Sequence, residues 1–341
     1  MALRWGIAGT GAIARGFADA LGRLPGAELV AVGSRGRATA DEFGEKYGIT
    51  PHRRYGSYES LAADDDIDIV YVASPHSHHH EHTLLFLESG HGVLCEKPFA
   101  LNAGQAAEMV ATARARGRFL MEAMWSRFLP AYVRLRELVT AGEIGTVLSV
   151  EGDFGFRLPM DPTHRLFDPT LGGGALLDLG VYPVSLASML LGEPSRVAAF
   201  GQLGETGVDE HLAVVTSYDS GAFAVAKASL RANLACAGRV TGTAGSMELP
   251  AFMHCPDELV VQRAGTTERL HLPAARDGDG GDGAAETAGG GLHHQARHVH
   301  ERLSSGHLDS DVMPLDETVA IMRTLDAARA QLGVRYPADN A

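Results

Sequence analysis

The segment Leu3-Arg-Trp-Gly-Ile-Ala-Gly9-Thr-Gly11-Ala-Ile-Ala14 decides the fold of this 341-residue chain. An apolar run predicts a strand over Leu3–Ala8, and the residues after the glycines predict a helix. In such a turn Gly9 permits the sharp bend, Gly11 lets backbone N–H groups approach a pyrophosphate, and Ala14 lets the helix pack on the sheet. The positive end of the helix favours a phosphate, so the segment predicts a dinucleotide-binding turn. A tight turn without a ligand is the alternative. The candidate phosphate contacts are Gly9, Gly11, Ala12 and Ile13.

The first third of the chain alternates short apolar runs with helical stretches. Beyond the first strand, further strands are predicted over residues 28–33, 67–73, 92–96 and 119–123. A helix is predicted to begin after Asn102 and to end at Gly117, because its apolar residues lie three or four apart. Alternating strands and helices are typical of a parallel, doubly wound sheet that is covered on both faces. We therefore predict an α/β Rossmann domain over residues 1–124.

The pattern changes after about residue 125. Helices are predicted over 132–140 and 175–191, and the other segments up to residue 272 read as successive strands. Strands without intervening helices favour an antiparallel sheet, so residues 125–341 are predicted to form an α+β domain with a mostly antiparallel sheet. Residues 276–291 are rich in Gly and Asp and predict a flexible surface loop, because their acidic spacing fits no EF-hand. Two more helices are predicted over 292–304 and 316–332.

Composition and charge argue against several classes of protein. The residues are 45% hydrophobic and 21% charged, as in globular proteins, and the length favours two domains. A formal net charge of −13 repels phosphate backbones and anionic lipid, which argues against nucleic-acid and membrane partners. The three cysteines are widely spaced, as expected in a reducing compartment. The sequence also shows no leader pattern and no apolar run of membrane-spanning length, so we expect a cytoplasmic protein.

The residues after the second predicted strand bear on the choice between NAD and NADP. An NAD-binding domain places Asp or Glu there to bind the ribose 2′-hydroxyl, but this chain has Ser34-Arg35-Gly36-Arg37. A hydroxyl and a guanidinium can bind a 2′-phosphate through charge-assisted hydrogen bonds, whereas a carboxylate would repel it. We therefore expect NADP in preference to NAD, with Ser34, Arg35 and Arg37 as candidate contacts. The alternative is that both arginines are solvated surface residues.

A histidine-rich run, Ser74-Pro75-His76-Ser77-His78-His79-His80-Glu81-His82, follows the third predicted strand. His78 and His82 are one helical turn apart, as in zinc sites, but the sequence singles out no third ligand. The position of the run after a strand favours a cofactor-facing turn followed by a helix. We therefore predict no metal site. The candidate cofactor contacts in this turn are Ser74, Pro75 and His76.

The tripeptide Glu96-Lys97-Pro98 closes another predicted strand and interrupts an otherwise buried segment. In open parallel sheets ligands bind outside the carboxyl ends of the strands, so the turns after these strands are expected to share one crevice. These turns hold Gly9, Ser34, Ser74 and Lys97. A lysine near a nicotinamide can supply the positive charge that alcohol oxidation needs. A surface lysine before a proline turn is the alternative.

Asp178 and Tyr182 lie four residues apart at the start of a predicted apolar helix. This spacing places two side chains on one face of an α-helix. Alcohol oxidation removes the hydroxyl proton as hydride leaves, and a free tyrosine, with a pKa of about 10, is a poor base at neutral pH. The ammonium of Lys97 would stabilise the phenolate, and Asp178 would hydrogen-bond the substrate or orient the lysine. A buried tyrosine bonded to a neighbour has the same pattern.

Taken together, these motifs resemble the Gfo/Idh/MocA oxidoreductase family. The resemblance rests on Glu96-Lys97-Pro98, the Ser74-Pro75-His76-x-x-His79 turn and the Asp178-x-x-x-Tyr182 helix, in that order over nearly the whole chain. Segments 121–130, 172–183 and 333–337 are most similar to the branch of dimeric dihydrodiol dehydrogenases and NADP-dependent D-xylose dehydrogenases.

The resemblance implies that Lys97 and Tyr182 form the catalytic pair, with Tyr182 as general acid or base and Asp178 supporting the site. Further implied cofactor contacts are His79, Glu96, Lys97 and Arg127. The implied substrate contacts are Trp125, Phe154, Asp178 and Tyr182.

The resemblance also implies a homodimer whose second-domain sheets pack face to face. We therefore expect hydride transfer between NADP and a small polyol, sugar or cyclic trans-diol. Two other functions remain open: a glycoside hydrolase of the same family that retains NAD, and a non-catalytic protein that senses NADP.

Overall fold

A computed structural model describes residues 2–274 and 290–340 of the chain. The loop predicted over 276–291 lies outside the described residues except for its last two. Two compact units are present: residues 2–100, 104–125 and 290–315 form the first, and residues 101–103, 126–274 and 316–340 form the second. The prediction divided the chain once, at residue 124. The structure differs because the helix over Leu292–Ser304 packs on the helix over Ala12–Leu21 of the first unit.

The first unit is built on a six-stranded sheet. Its strands are β1 (Leu3–Ala8), β2 (Ala27–Gly33), β3 (Arg54–Tyr55), β4 (Ile69–Val72), β5 (Gly92–Glu96) and β6 (Leu120–Ala123). Its helices are α1 (Ala12–Leu21), α2 (Arg37–Lys46), α3 (Tyr58–Ala62), α4 (His79–Glu88) and α5 (Ala103–Arg116), together with the late helix α8 (Leu292–Ser304). The strand order is β3-β2-β1-β4-β5-β6, and all neighbours are parallel. This order confirms the predicted Rossmann sheet.

Burial explains why these strands form. Every residue of β4 and β5 is buried, as expected for central strands of a sheet covered on both faces. The order of strands reverses between β1 and β4, and in such sheets the ligand crevice opens at this switch point. The first unit therefore places its ligand-binding edge at the turns that follow β1 and β4.

The second unit is built on an eight-stranded sheet. Its strands are β7 (Val147–Gly155), β8 (Arg196–Leu203), β9 (Asp209–Ser217), β10 (Phe223–Ser229), β11 (Gly238–Gly242), β12 (Gly245–Leu249), β13 (Glu258–Arg263) and β14 (Thr266–His271). Its helices are α6 (Pro130–Thr140), α7 (Val181–Leu191) and α9 (Leu315–Leu332). The strand order is β14-β13-β12-β11-β7-β10-β9-β8, and among the described strands of this sheet only β7 and β10 pair in parallel. The predicted, mostly antiparallel sheet is confirmed.

One apolar stretch is longer than the sequence analysis expected. Pro169–Leu191 is a helical stretch of 23 residues that is long and apolar enough to cross a membrane, and 83% of its most apolar window is buried within the protein. The expectation that no apolar run reaches spanning length is therefore wrong. Its apolar character has a structural reason, since α7 packs on β7 and β10 as the central helix of the second unit.

Candidate active site

The glycine-rich turn after β1 has the geometry of a phosphate-binding turn. Gly9 has a φ of 119°, and a Cβ there would lie 2.7 Å from the carbonyl oxygen of Ala73, so no other residue fits. A Cβ on Gly11 would meet nothing within 4 Å, and no described side chain caps the first turn of α1. Ala12 is exposed and Ile13 half-buried at the same helix end. The N–H groups at the start of α1 fit a pyrophosphate.

The two arginines of the predicted 2′-phosphate site, which follow β2, have different surroundings. The Arg37 guanidinium donates to both Asp41 oxygens at 2.9 and 3.1 Å, so a neighbouring carboxylate already occupies it. Arg35 is exposed and makes no hydrogen bond or ion pair within the described part of the chain. The buried hydroxyl of Ser34 lies 2.6 Å from that of Thr39. Arg35 is therefore the arginine that is available to a ligand.

His79 joins the turn after β4 to the turn after β5. Its Nδ1 lies 2.8 Å from the carbonyl oxygen of Pro98, and its Nε2 lies 2.9 Å from that of Ser74. Burial lowers the pKa of His79 to about 4. The ring of His76 packs edge-on against His79, and Pro75 precedes the short helical turn that holds His76. Because backbone groups occupy both of its ring nitrogens, His79 positions the two turns and is not free for a polar contact with a cofactor.

Glu96 fixes the backbone that carries Lys97. The Glu96 side chain is buried, and its carboxylate accepts hydrogen bonds from the Tyr71 hydroxyl and, at 3.1 Å, from the Lys97 N–H. Lys97 is half-buried, and its positive charge helps to lower the pKa of His79. Together with the N–H of Gly9, which donates to the Gly33 carbonyl at 2.9 Å, these contacts connect the turns after β1, β2, β4 and β5. The four turns that were predicted to bind the cofactor therefore lie at one edge of the first-unit sheet.

Arg127 has a different environment from the one that the resemblance implied. It is fully buried in the second unit, where it donates to the Ser185 hydroxyl at 2.8 Å and to the Glu317 carboxylate at 2.7 Å. The Arg127 guanidinium holds the pKa of Glu317 below its usual value despite burial. Arg127 therefore joins the short helical turn Trp125–Phe128 to both α7 and α9, and this placement argues for a packing role and against a cofactor contact. Trp125 is also buried, in the first unit.

Tyr182 lies in an aromatic cluster of the second unit. Its ring centroid is 5.6 Å from that of Phe154, and the Phe154 ring stacks on His254 at 4.3 Å. His254 is also 5.6 Å from Tyr182. Phe154 and Tyr182 are the residues that the sequence analysis placed together, whereas His254 was missed because a lone histidine after β12 carries no local signal.

Asp178 is buried beside an arginine that the sequence analysis did not single out. Residues Leu176–Gly180 form a π-helical turn, and the Asp178 carboxylate accepts two hydrogen bonds from Arg165, at 3.1 and 3.3 Å. The expected partner of Asp178 was the substrate or Lys97. An arginine 13 residues upstream is thus part of its surroundings.

One group of possible metal ligands occurs among the described residues. Ligand atoms of His78, Glu81 and His82 lie within 4.8 Å of one another, so Glu81 is the third residue that the sequence analysis lacked. Glu81 is exposed, and the Nδ1 of His82 already bonds to the Ser74 hydroxyl at 2.9 Å. Exposed carboxylates commonly lie near histidines at the start of a helix, and the geometry does not call for an ion here.

Comparison with known proteins agrees with this geometry. Residues 3–124 match the family model for the oxidoreductase family with an NAD-binding Rossmann fold, and residues 132–248 match the GFO/IDH/MocA C-terminal domain. Two trans-1,2-dihydrobenzene-1,2-diol dehydrogenases, from Mus musculus and Homo sapiens, are 40% and 38% identical to this chain. Each alignment covers 99% of this chain and 99% of the relative. The chain belongs to the Gfo/Idh/MocA oxidoreductase family.

Solved structures of other proteins share the fold. An aldose-aldose oxidoreductase from Caulobacter crescentus, in complex with glycerol, is 26% identical with a TM-score of 0.84, and 98% of each chain is covered. A 3-ketoreductase from Actinomadura kijaniata, in complex with NADP and TDP-benzene, is 25% identical with a TM-score of 0.78 over 97% of this chain and 98% of that one. This member of the Gfo/Idh/MocA family is therefore an NAD(P)-dependent dehydrogenase that acts on CH–OH groups.

Proposed function

We propose that the chain is an NADP-dependent dehydrogenase that acts on a hydroxyl or carbonyl group of a sugar or a cyclic trans-diol. The observation that carries the proposal is the placement of Lys97 and Tyr182. The backbone of Lys97 is fixed at the dinucleotide-binding edge, and Tyr182 lies in an aromatic cluster. Dihydrodiol dehydrogenases that are 37–40% identical over the length of the chain support the same function.

In the proposed reaction Tyr182 transfers the proton and Lys97 provides a positive charge. During oxidation Tyr182 accepts the proton of the substrate hydroxyl as the carbinol carbon releases hydride, and during reduction it returns that proton. The nicotinamide of a bound cofactor would supply the acceptor or donor of the hydride. Lys97 stabilises the tyrosinate through its positive charge, and Asp178 accepts a hydrogen bond from a substrate hydroxyl. The proposal requires these three side chains to share one substrate.

The cluster around Tyr182 supports a ring-shaped substrate. The faces of Phe154 and His254 are parallel to within 11°. Flat aromatic walls pack against the C–H faces of sugars and against aromatic or cyclic diols, while a few polar groups orient the hydroxyls. Among the residues described, Tyr182 and Asp178 are the polar groups that we assign to this task.

The turn after β2 supports NADP. Arg35 is exposed and available, and the position where an NAD-binding domain carries a carboxylate is occupied by Ser34. The one carboxylate bonded in this turn, Asp41, is neutralised by Arg37. A 2′-phosphate would therefore meet a positive charge at Arg35 and a hydroxyl at Ser34.

The experiment is a screen of aldoses and trans-diols with NADP and NAD in parallel, with reduced nicotinamide read by absorbance, followed by Tyr182→Phe. Loss of the general base should lower kcat by about a hundredfold or more while NADP affinity stays unchanged. Tyr218→Phe is a matched control, because Tyr218 is another buried tyrosine of the same unit. Near-normal turnover of Tyr182→Phe would refute the assignment. Sugar release without consumption of a bound cofactor would instead show the hydrolase reaction.

A homodimer and a cytoplasmic location complete the proposal. One face of the second-unit sheet is open and apolar: Phe200 is 70% exposed, and Val215 and Phe223 are also exposed. Monomers rarely expose several large apolar side chains on one sheet, so a second copy covering this face would remove them from water. All three cysteines, Cys95, Cys236 and Cys255, are free thiols, as is usual in the cytoplasm.

A further inference from the structure

The two members of the ion pair between Arg165 and Asp178 differ in exposure. The Arg165 side chain is 53% exposed, whereas the Asp178 side chain is 6% exposed. The guanidinium donates one hydrogen bond to each carboxylate oxygen, at 3.1 and 3.3 Å. This two-pronged geometry fixes both the position and the plane of a carboxylate. A half-exposed arginine side chain therefore binds a buried carboxylate through two hydrogen bonds.

The segment that carries Arg165 is fastened to the start of the helix that carries Asp178. The N–H of Gly174 donates to the carbonyl of Leu166 at 2.9 Å, and the N–H of Gly173 donates to that of Asp168 at 3.0 Å. A Cβ on Gly173 would lie 2.8 Å from the carbonyl oxygen of Arg165, so the two backbones touch. Leu166 and Phe167 anchor the segment in the core.

We propose that Arg165 is a positioning residue that holds Asp178 for the recognition of a second hydroxyl, next to the hydroxyl that reacts at Tyr182. The inference rests on the proposed function and deepens it, because it makes the enzyme selective for vicinal diols and polyols over simple alcohols. Arg165 acts through Asp178 and does not itself touch the reacting atoms.

The physical reason lies in the geometry of the pair. A carboxylate that accepts two parallel hydrogen bonds from one guanidinium is held in one position and one plane. An ionised carboxylate accepts hydrogen bonds only, and it has about four lone-pair sites. Arg165 takes one site on each oxygen, and the proposal assigns another site to a substrate O–H. A misoriented Asp178 would lose the second hydroxyl but leave proton transfer at Tyr182 in place.

The test compares trans-1,2-cyclohexanediol with cyclohexanol as substrates of the full-length wild type, Arg165→Met and Arg165→Lys. For Arg165→Met we expect kcat/KM for the diol to fall by about tenfold to a hundredfold, mainly through KM, as a misplaced site group causes. The value for cyclohexanol should change less than about threefold, which is within the scatter of surface substitutions. Arg165→Lys restores part of the diol activity, because the charge returns without the two-pronged geometry.

Arg323→Met is the matched control. Arg323 also donates to both oxygens of a carboxylate, that of Glu193, at 2.9 and 3.3 Å, and its side chain is 54% exposed, but Glu193 is exposed as well. The control should leave both substrates unaffected. In a double-mutant cycle, Arg165→Met should add little to Asp178→Asn.

Three results would overturn the inference. These are equal losses for the diol and the alcohol, additive losses in the double-mutant cycle, or an Arg165→Met variant that matches Arg323→Met. A wild type that oxidises neither compound nor any sugar would refute the proposed function instead.

Discussion

The buried carboxyl of Asp209 predicts how the stability of the protein depends on pH. This carboxyl is fully buried; Oδ2 accepts the N–H of Leu176 at 2.6 Å, and Oδ1 has no hydrogen-bond partner among the described residues. Burial raises the pKa of Asp209 from 3.8 to about 7, although the N–H of Leu176 and the charge of Arg329 act in the opposite direction. Leu176 opens the turn that carries Asp178, so Asp209 bonds to the first residue of that turn.

The sign of the effect on stability follows from the raised pKa. Between about pH 4 and pH 7 the folded chain keeps the Asp209 proton and the unfolded chain has lost it, so stability falls as the pH rises through this window. At about 1.4 kcal/mol per pKa unit, the cost reaches about 4 kcal/mol above pH 7. Asp209→Asn keeps an acceptor for Leu176 and cannot ionise. Relative to wild type, the variant should therefore gain about 2.5 kcal/mol between pH 5 and pH 8.

The assay is urea unfolding of both proteins at pH 5 and pH 8, followed by circular dichroism. The difference between variant and wild type isolates Asp209 from every other titrating group. Asp219→Asn, at an exposed position of the same unit, is the control variant. A stability difference between Asp209→Asn and wild type that is the same at both pH values would refute the reasoning.

Two further predictions concern the cofactor and the assembly. Arg35→Ala should raise the KM for NADP by about tenfold to a hundredfold, the value of a charge-assisted hydrogen bond to phosphate, and change the KM for NAD little. In the same steady-state assays Arg37→Ala should do less, because Asp41 already binds that guanidinium; equal effects would contradict the assignment. Phe200→Asp should convert the proposed dimer to a monomer in sedimentation velocity, and an unchanged dimer would place the interface elsewhere.

Local pattern predicted the first unit well, because most of its strands are apolar and alternate regularly with helices. The strands over 3–8 and 92–96 have the predicted bounds, whereas β3 was missed because two residues show no periodicity. The return of α8 to the first unit was missed for another reason. It depends on a packing contact with α1 nearly 300 residues away in the chain, and a pattern within one segment carries no information about such a contact.

The same distinction holds for the site. Gly9, Lys97 and Tyr182 stand in motifs whose chemistry can be read from residue types and order. Arg165 and His254 could not be found this way, because each matters through a partner brought near by folding. In the sequence, nothing distinguishes Arg165 from the other exposed arginines or His254 from the other half-buried histidines.

The sequence correctly grouped Asp178 with Tyr182 in one helical segment, but it assumed the wrong kind of helix. The spacing of four predicted one face of an α-helix, but Leu176–Gly180 is a π turn with hydrogen bonds from residue i to i+5. Pro183 has no N–H to give to the carbonyl four residues before it, so the α pattern is broken where the turn ends. A Cβ on Gly180 would lie 3.1 Å from the Leu176 side chain and 3.4 Å from Ala228 of β10, so the turn packs closely on the sheet at this residue. Pro183, inside an otherwise apolar helical segment, is therefore the local signal for the irregular turn.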